Sequence, residues 1–524
     1  MSSYSRFTRS GAVGAALLAA AAGLGAAALG AALLGVPSPV VAVGNHAIDL
    51  APGPLKDYAV RQFGENDKPI LVASVLVVLT LLAVVAGLVA LRRPTVALAM
   101  TSLIGAVAIL AGYTDGSTAA SPLVAALPGV LALGVSVGAF AWLLSALAKR
   151  ARLSTPSPLQ PHPGDDLPGD FDRRRFLVAA LATGTVAGVG GIGSQVFASN
   201  AAASSRADIV VPKPTMPAPR VPAGVQSPVA GVSSYLTTNE DFYRVDINLS
   251  VPNVSADSWR LRVHGLVDEA IELSYADLLE LPLVERRITL TCVSNEVGGP
   301  YVGNATWIGV RVKDVLAMAG VQQGADAVKS TAVDGFTIGT PLGALTDDRD
   351  ALLAIAMNGE PLPLDHGFPV RLVVPGLYGF VSATKWVVDL EVTRFEDFTA
   401  YWTERDWSVE APIKTASRID VPGSFQTLKA GNAAFGGVAW AQTTGIAKVE
   451  VKIDDGDWQE AELSTEDGVD TWRQWSYRWL DATPGTHNVT ARATDRSGFT
   501  QTSDRVPPRP DGATGWQSVD FTVA

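Results

Sequence analysis

Thr289-Leu290-Thr291-Cys292-Val293-Ser294-Asn295 holds the only cysteine in a chain of 524 residues. A single thiol rules out an intramolecular disulfide, and taken alone it reads as a small buried apolar residue. The segments around it set its frame. Trp259-Arg260-Leu261-Arg262-Val263-His264 alternates like a strand. Ser274-Tyr275-Ala276-Asp277-Leu278-Leu279-Glu280-Leu281 opens on a capping residue and continues at helical spacing. Val370–Val374 and Trp386–Val392 read as buried strands. Short strands mixed with short helices predict an α+β domain over residues 236–405.

Further on, helical periodicity stops. Ala447–Ile453 alternates strictly, Asp454-Asp455-Gly456-Asp457 supplies hairpin turn chemistry, and His487–Ala493 alternates again. Short strands at regular spacing predict an all-β immunoglobulin-like sandwich over residues 406–524. Within it, Trp472-Arg473-Gln474-Trp475-Ser476-Tyr477-Arg478-Trp479 reads as core and interface, with no chemistry assigned.

Ahead of the α+β domain the composition changes to Ala, Gly, Leu and Val. Five apolar stretches, near Gly11–Val36, Ile70–Leu91, Thr95–Tyr113, Leu123–Leu147 and Phe176–Phe197, each reach the roughly 20 residues that a bilayer requires. They predict an α-helical transmembrane anchor over residues 1–200. Arg6, Arg9, Arg92, Arg93, Lys149, Arg150, Arg152 and Arg173–Arg175 lie on one side of these spans, which places the N-terminus inside and everything after about residue 200 outside. Asp172-Arg173-Arg174-Arg175-Phe176-Leu177 reads as an internal twin-arginine export signal retained as an anchor. None of the five histidines falls in an apolar span, so no haem is expected there. Residues 201–235, with prolines from Pro212 to Pro228, read as a stiff extended tether. The net charge of -11 and the lack of a basic stripe argue against nucleic acid.

Further motifs follow the cysteine in a fixed order: Gly303-Asn304-Ala305-Thr306-Trp307-Ile308-Gly309-Val310, then Met357-Asn358-Gly359-Glu360-Pro361-Leu362-Pro363-Leu364-Asp365-His366-Gly367-Phe368-Pro369-Val370-Arg371, then Val374-Pro375-Gly376 and Ala383-Thr384-Lys385-Trp386; Phe242-Tyr243-Arg244 precedes it. Together they resemble the sulfite oxidase family of molybdopterin-dependent oxidoreductases over about residues 235–520. The resemblance implies one molybdenum–molybdopterin per chain, with Cys292 as the metal's protein ligand. It implies that Asn239, Tyr243, Arg244, His366, Arg371, Ala383, Thr384 and Lys385 line the cofactor. Arg371 and Lys385 suit its phosphate, because guanidinium and ammonium groups neutralise a buried anion, and His366 is expected to donate to pterin or phosphate. Trp307 and Trp407 are expected at the reacting centre, Trp407 in place of the family's active-site tyrosine. The sandwich resembles the family's dimerisation domain, which implies a homodimer.

The family's sulfite oxidases carry arginines a few residues beyond the cysteine; here Val293-Ser294-Asn295-Glu296-Val297-Gly298-Gly299 follows it. The expectation is therefore a two-electron oxygen-atom-transfer oxidoreductase outside the cytoplasmic membrane, acting on a sulfoxide-type or other small-molecule substrate with a membrane electron carrier or separate redox partner. Sulfite oxidation is the alternative. Two readings of other classes are a cysteine hydrolase using Cys292 with His264 or His366, and a cofactor-free membrane-anchored interaction module.

Overall fold

The computed structural model describes residues 3–52, 55, 62–63, 67–115, 120–153, 178, 181–188, 200–249 and 251–524. Its contacts divide into two units, Met1–Ala201 with Asn248–Asn253, and Ala202–Ile247 with Val254–Ala524.

The first unit is helical. Among the described residues, four helices are long and apolar enough to cross a membrane: Arg9–Leu34, Lys68–Ala90, Pro94–Thr114 and Pro122–Leu147. Leu81, Leu103 and Leu123 point outward, as on helices solvated by lipid. At two of their contacts a glycine allows close approach: a Cβ at Gly87 would lie 2.7 Å from the Val13 Cα, and one at Gly129 2.7 Å from the Ile109 nitrogen. Backbones meet this closely only through small residues. The first loop contains a helix that hydropathy did not predict, Pro39–Leu50, started by Pro39 and by Ser38, whose hydroxyl accepts from the Val41 amide. At 12 residues it is too short to span. Of the fifth expected span, residues 178 and 181–188 are helical; the rest, with Arg173–Arg175 and the export signal, lies outside the described residues.

The α+β part of the second unit contains ten strands: β1 (Arg260–Gly265), β2 (Ile271–Ser274), β3 (Leu283–Thr291), β4 (Val302–Arg311), β5 (Ala327–Ala332), β6 (Thr337–Pro341), β7 (Leu352–Met357), β8 (Glu360–Pro361), β9 (Arg371–Val373) and β10 (Val387–Thr393). One sheet runs β2-β1-β10-β5-β6, the other β3-β4-β7-β8 with β9 also on β7. The helix Tyr275–Glu280 forms where its sequence predicts, with both halves of a capping box between Ser274 and Asp277. β7 is buried at every position, which suits its unbroken apolar run. The ladder of β3 with β4 extends to Thr291↔Val302, so Cys292 is the first residue past it.

Nine more strands follow: β11 (Ala416–Val421), β12 (Thr427–Leu428), β13 (Asn432–Trp440), β14 (Ile446–Ile453), β15 (Gln459–Glu460), β16 (Glu462–Leu463), β17 (Arg473–Leu480), β18 (Gly485–Asp495) and β19 (Gln517–Val523). They form two sheets, β11-β13-β17-β16 and β12-β19-β18-β14-β15. Ile419, Phe435 and Trp475 from one meet Val449, Val489 and Phe521 from the other in a single core, which makes a two-layer sandwich.

Trp475 lies in that core, whereas Trp472 seals the junction to the α+β domain. The Trp472 amide donates to Thr289 Oγ1 at 2.7 Å, Gln442 Nε2 donates to the Thr289 carbonyl at 2.9 Å, and the Thr289 amide donates to Asp470 O at 2.9 Å. The sandwich thus braces β3 three residues before the cysteine. The expected extended tether over residues 201–235 is corrected in part: it starts as a helix, Asn200–Asp208, with Ala202 in the α+β core, and the proline-rich part that follows is not free-standing. Met216 bridges to Val284, and the Ser227 amide donates to Gln474 Oε1 at 2.5 Å. Prolines lack the donors for longer pairing, so it docks through isolated bonds.

Candidate active site

The site assembles at the end of β3. The Cys292 amide donates to Tyr301 O at 3.0 Å and its carbonyl accepts from the Asn295 amide at 3.1 Å, so backbone bonds set the thiol's position. Sγ is buried and lies 2.9 Å from Ser294 Oγ. Burial pushes the thiol up, with Ser294 and Lys385 acting against it. Glu296, the acid of this loop, is exposed to solvent.

The segment Asn239–Asp246 supplies a second wall. The Phe242 ring sits on Gly303, where a Cβ would come within 2.8 Å of it. It makes edge contacts with Trp307 at 5.7 Å and His366 at 5.6 Å. The next residue, Tyr243, is half-buried. Burial pushes its phenol up, the Cys292 charge adds to that and Arg371 opposes it, so the three groups share one electrostatic neighbourhood.

A third wall comes from residues 357–371. His366 Nε2 lies 3.1 Å from the Asn239 carbonyl. A carbonyl can only accept, so this nitrogen carries the proton. Burial, with help from Arg371, lowers His366 to about 4, leaving a neutral ring at pH 7 whose Nδ1 can only accept. Nε2–H is thus engaged by the Asn239 carbonyl, and Nδ1 is the ring's open nitrogen.

Arg371 opens β9 and is 6% exposed. Its guanidinium stands 5.1 Å from the Trp307 ring centroid, and it donates to His366 O at 3.2 Å and Leu372 O at 3.4 Å. Among the described residues no carboxylate pairs with it. Burial lowers it to about 10, still cationic at neutral pH. A buried cation held only by carbonyls and an indole calls for an anion.

Lys385 lies beside it. Gly367, at φ 107°, separates the two: a Cβ there would sit 3.0 Å from Lys385 Cβ and 3.1 Å from Arg371 Cβ. Lys385 Nζ donates to Asp246 Oδ2 at 2.8 Å and to Asp365 O at 3.1 Å. Arg244 pairs with Asp246 at 2.9 Å and with Asp365 at 3.2 Å. Arg244 and Lys385 thus share the Asp246 carboxylate, and Arg244 also meets that of Asp365, while among the described residues Arg371 meets none. After Lys385 the backbone of Trp386 is left-handed, at φ 51°, a conformation that bulky residues avoid; its indole donates to Leu364 O at 3.1 Å.

Burial, opposed by Asp246, lowers Lys385 to about 8. Below that pH the ammonium attracts an anion; above it the charge is lost. Pyrophosphate binding to the cofactor-free protein, followed by calorimetry, is therefore expected to weaken by roughly tenfold per pH unit above about 8. Lys385→Arg, which stays charged, should abolish that fall. An affinity flat across this range in the parent protein would remove Lys385 from the anion site.

The remaining predicted residues divide. Ala383 lies by the end of β3: a Cβ at Gly379 would have Ala383 Cβ at 3.6 Å and Thr291 O at 3.9 Å. Thr384 turns inward instead, its buried hydroxyl 2.6 Å from Ser330 Oγ, and its carbonyl accepts from the Leu372 amide at 2.9 Å. Asn239 accepts from Asn358 Nδ2 at 2.9 Å and orders the loop. Trp307 is fully buried and donates to Ile288 O at 3.2 Å; it is the platform for Arg371 and has no surface to offer a substrate. Trp407 is half-buried against Phe380 and Trp402. Sequence reasoning missed Asp246, Gly367 and Thr291, whose hydroxyl is buried without a partner next to the cysteine.

A family model, the oxidoreductase molybdopterin binding domain, matches residues 248–402. The chain is 32% identical over 325 residues to mitochondrial sulfite oxidase of Rattus norvegicus, covering 52% of this chain and 58% of that protein. It is 31% identical over 324 residues to sulfite oxidase of Gallus gallus, covering 52% and 69%. To the uncharacterized oxidoreductase YuiH of Bacillus subtilis it is 39% identical over 144 residues, covering 28% and 69%. The chain thus spans little more than half the length of the rat relative. Among solved structures, the sulfane dehydrogenase SoxCD from Paracoccus pantotrophus shares the fold, with a TM-score of 0.50 at 21% identity over 57% of this chain and 88% of that one.

Proposed function

Because this chain belongs to the sulfite oxidase family of molybdopterin-binding oxidoreductases, we propose that it carries one molybdenum–molybdopterin and transfers an oxygen atom in a two-electron reaction, reducing a sulfoxide-type substrate. The observation that carries the cofactor reading is Arg371, a buried cation without a carboxylate, in the same electrostatic neighbourhood as a lone thiol. The donor set agrees. Among the described residues no three His, Cys, Asp or Glu side chains stand together, so the chain offers the metal one sulfur, and the other donors must come with the cofactor. The orphaned Thr291 hydroxyl and the acceptor nitrogen of His366 fit its polar edges.

Molybdenum bound here supplies oxygen-atom exchange; the chain's residues hold and neutralise. Cys292 ligates the metal as thiolate, giving up its proton on binding. Arg371 and Lys385 balance the pterin phosphate, with Asp246 and Arg244 keeping Lys385 in place. Reduction consumes two electrons and two protons and releases water, so a membrane electron carrier or separate redox protein must supply the electrons. The apolar helices would anchor the catalytic body on the extracytoplasmic side of the cell membrane. The C-terminal sandwich would be the immunoglobulin-like dimerisation domain of the family.

Sulfite oxidation is the second reading, favoured by the names of the relatives that match at 31–32%. The loop after Cys292 contains no arginine, which favours the first. Purified holoprotein is expected to reduce dimethyl sulfoxide with a reduced viologen and to leave ferricyanide unreduced by sulfite. The reverse pattern would replace the first reading by the second.

A further inference from the structure

The Cys292 sulfur has a hydrogen-bond partner to which no role has yet fallen. Ser294 Oγ lies 2.9 Å from Sγ, and among the described residues this hydroxyl meets no other partner. While the sulfur carries a proton, either group can donate. A metal-bound thiolate has no proton to give, so against it the hydroxyl is the donor. A hydrogen bond to a charged acceptor is stronger than one between neutral groups.

A turn puts the hydroxyl there. The Asn295 amide donates to the Cys292 carbonyl at 3.1 Å, which closes a turn over residues 292–295 with Val293 and Ser294 at its centre. The chain reverses, and the side chain two residues on comes back beside Sγ. The far side of the turn is locked. Asn295 is buried, its Oδ1 accepts from the Tyr301 amide at 2.8 Å, and Gly299 makes room for it, since a Cβ there would lie 2.6 Å from that oxygen. The Cys292 amide is itself tied to Tyr301 O at 3.0 Å. The donor is thus held in place before any metal arrives, which lowers the cost of using it. Burial pushes the thiol up; of the groups that oppose this the Ser294 hydroxyl comes first, then the Ser294 amide, Lys385 and the Val293 amide. Three donors of one short turn therefore favour negative charge on this sulfur.

A ligand sulfur carries more negative charge when its metal holds more electrons, so donors to it stabilise the reduced centre. Hydrogen bonds to ligating sulfurs help set reduction potentials in iron–sulfur centres by this route, and outer-shell partners tune the metals whose ligands they hold. We propose that Ser294 is a positioning residue that donates to the Cys292 thiolate and thereby raises the reduction potential of the molybdenum centre. The raised potential favours the electron-loaded state, which a mildly reducing carrier can then fill. The proposal rests on the cofactor reading above and is independent of whether a sulfoxide or sulfite is the substrate.

The test is a redox titration of purified holoprotein, followed by the electron paramagnetic resonance of pentavalent molybdenum, on the parent, Ser294→Ala and Ser294→Thr. Loss of an outer-shell partner typically costs about 10–100-fold. Ser294→Ala is therefore expected to keep its molybdenum and to disfavour reduction by about tenfold or more, a midpoint lower by about 59 mV or more for one electron. Ser294→Thr keeps the hydroxyl and should titrate as the parent does. A merely structural role would lower stability or molybdenum content and leave the midpoints of the loaded protein in place. Unchanged or raised midpoints in Ser294→Ala overturn the proposal, as does an equal fall in Ser294→Thr. Should Ser294→Ala emerge without molybdenum, retention by Ser294→Thr supports the hydroxyl as the group that stabilises the thiolate, and loss from both overturns it. A parent protein free of molybdenum overturns the cofactor reading itself, and this proposal with it.

Discussion

Cys292→Ser is expected to strip molybdenum from the purified protein and abolish its redox turnover while leaving the fold in place. The change replaces one atom at the end of a ladder whose backbone bonds, Cys292 N to Tyr301 O and Asn295 N to Cys292 O, are untouched. Loss of an outer-shell partner in a metal site typically costs about 10–100-fold, and loss of the ligand itself should exceed that. Metal analysis, pterin fluorescence and turnover with an artificial donor measure the effect, and a thermal melt verifies the fold. The same residue separates the hydrolase reading. Because burial pushes the Cys292 thiol up, the cofactor-free protein holds it protonated at neutral pH, where it is a poor nucleophile. Slow alkylation by iodoacetamide is expected; a rapidly modified, molybdenum-free and active protein would establish the nucleophile instead.

Arg371→Met is expected to move two properties in opposite directions. Methionine keeps an apolar stem over the Trp307 ring while removing a buried cation that no carboxylate compensates. Replacing a buried ion by an apolar side chain is often neutral or stabilising by about 1–4 kcal/mol, so the cofactor-free protein should melt at the same temperature or higher. Truncating one partner of a buried charge pair costs about 2–5 kcal/mol, roughly a 30- to 5,000-fold loss of affinity. The variant should therefore emerge depleted of molybdopterin. A lower melting temperature with full cofactor content would make Arg371 a structural cation and leave the phosphate without its principal partner.

The residues that the local pattern exposes are those whose role follows from neighbours in sequence. Ser274 caps its helix because Asp277 is three residues on, and β14 buries Val449 and Val451 between Lys448, Glu450 and Lys452 as its alternation predicts; β18 departs from its alternation, with Val489, Thr490 and Ala491 all buried. Pairings across long separations are not written in spacing. Asp246 neutralises Lys385 across 139 positions, and Arg509 holds Asp406 across 103. Thr384 and Trp307 belong to the expected motifs, yet their side chains turn into the core, because motif order does not tell which face of the backbone borders the site.

By itself the sequence determined the apolar spans, the α+β and all-β character of the two halves, and the identity of the one thiol, since these depend on hydrophobic period and residue type. The tertiary structure decided which charges pair, that the His366 proton goes to the Asn239 carbonyl, and that the sandwich braces the strand that leads into Cys292. Those outcomes depend on burial and on contacts between distant segments. Both come into being only when the chain packs and water is excluded.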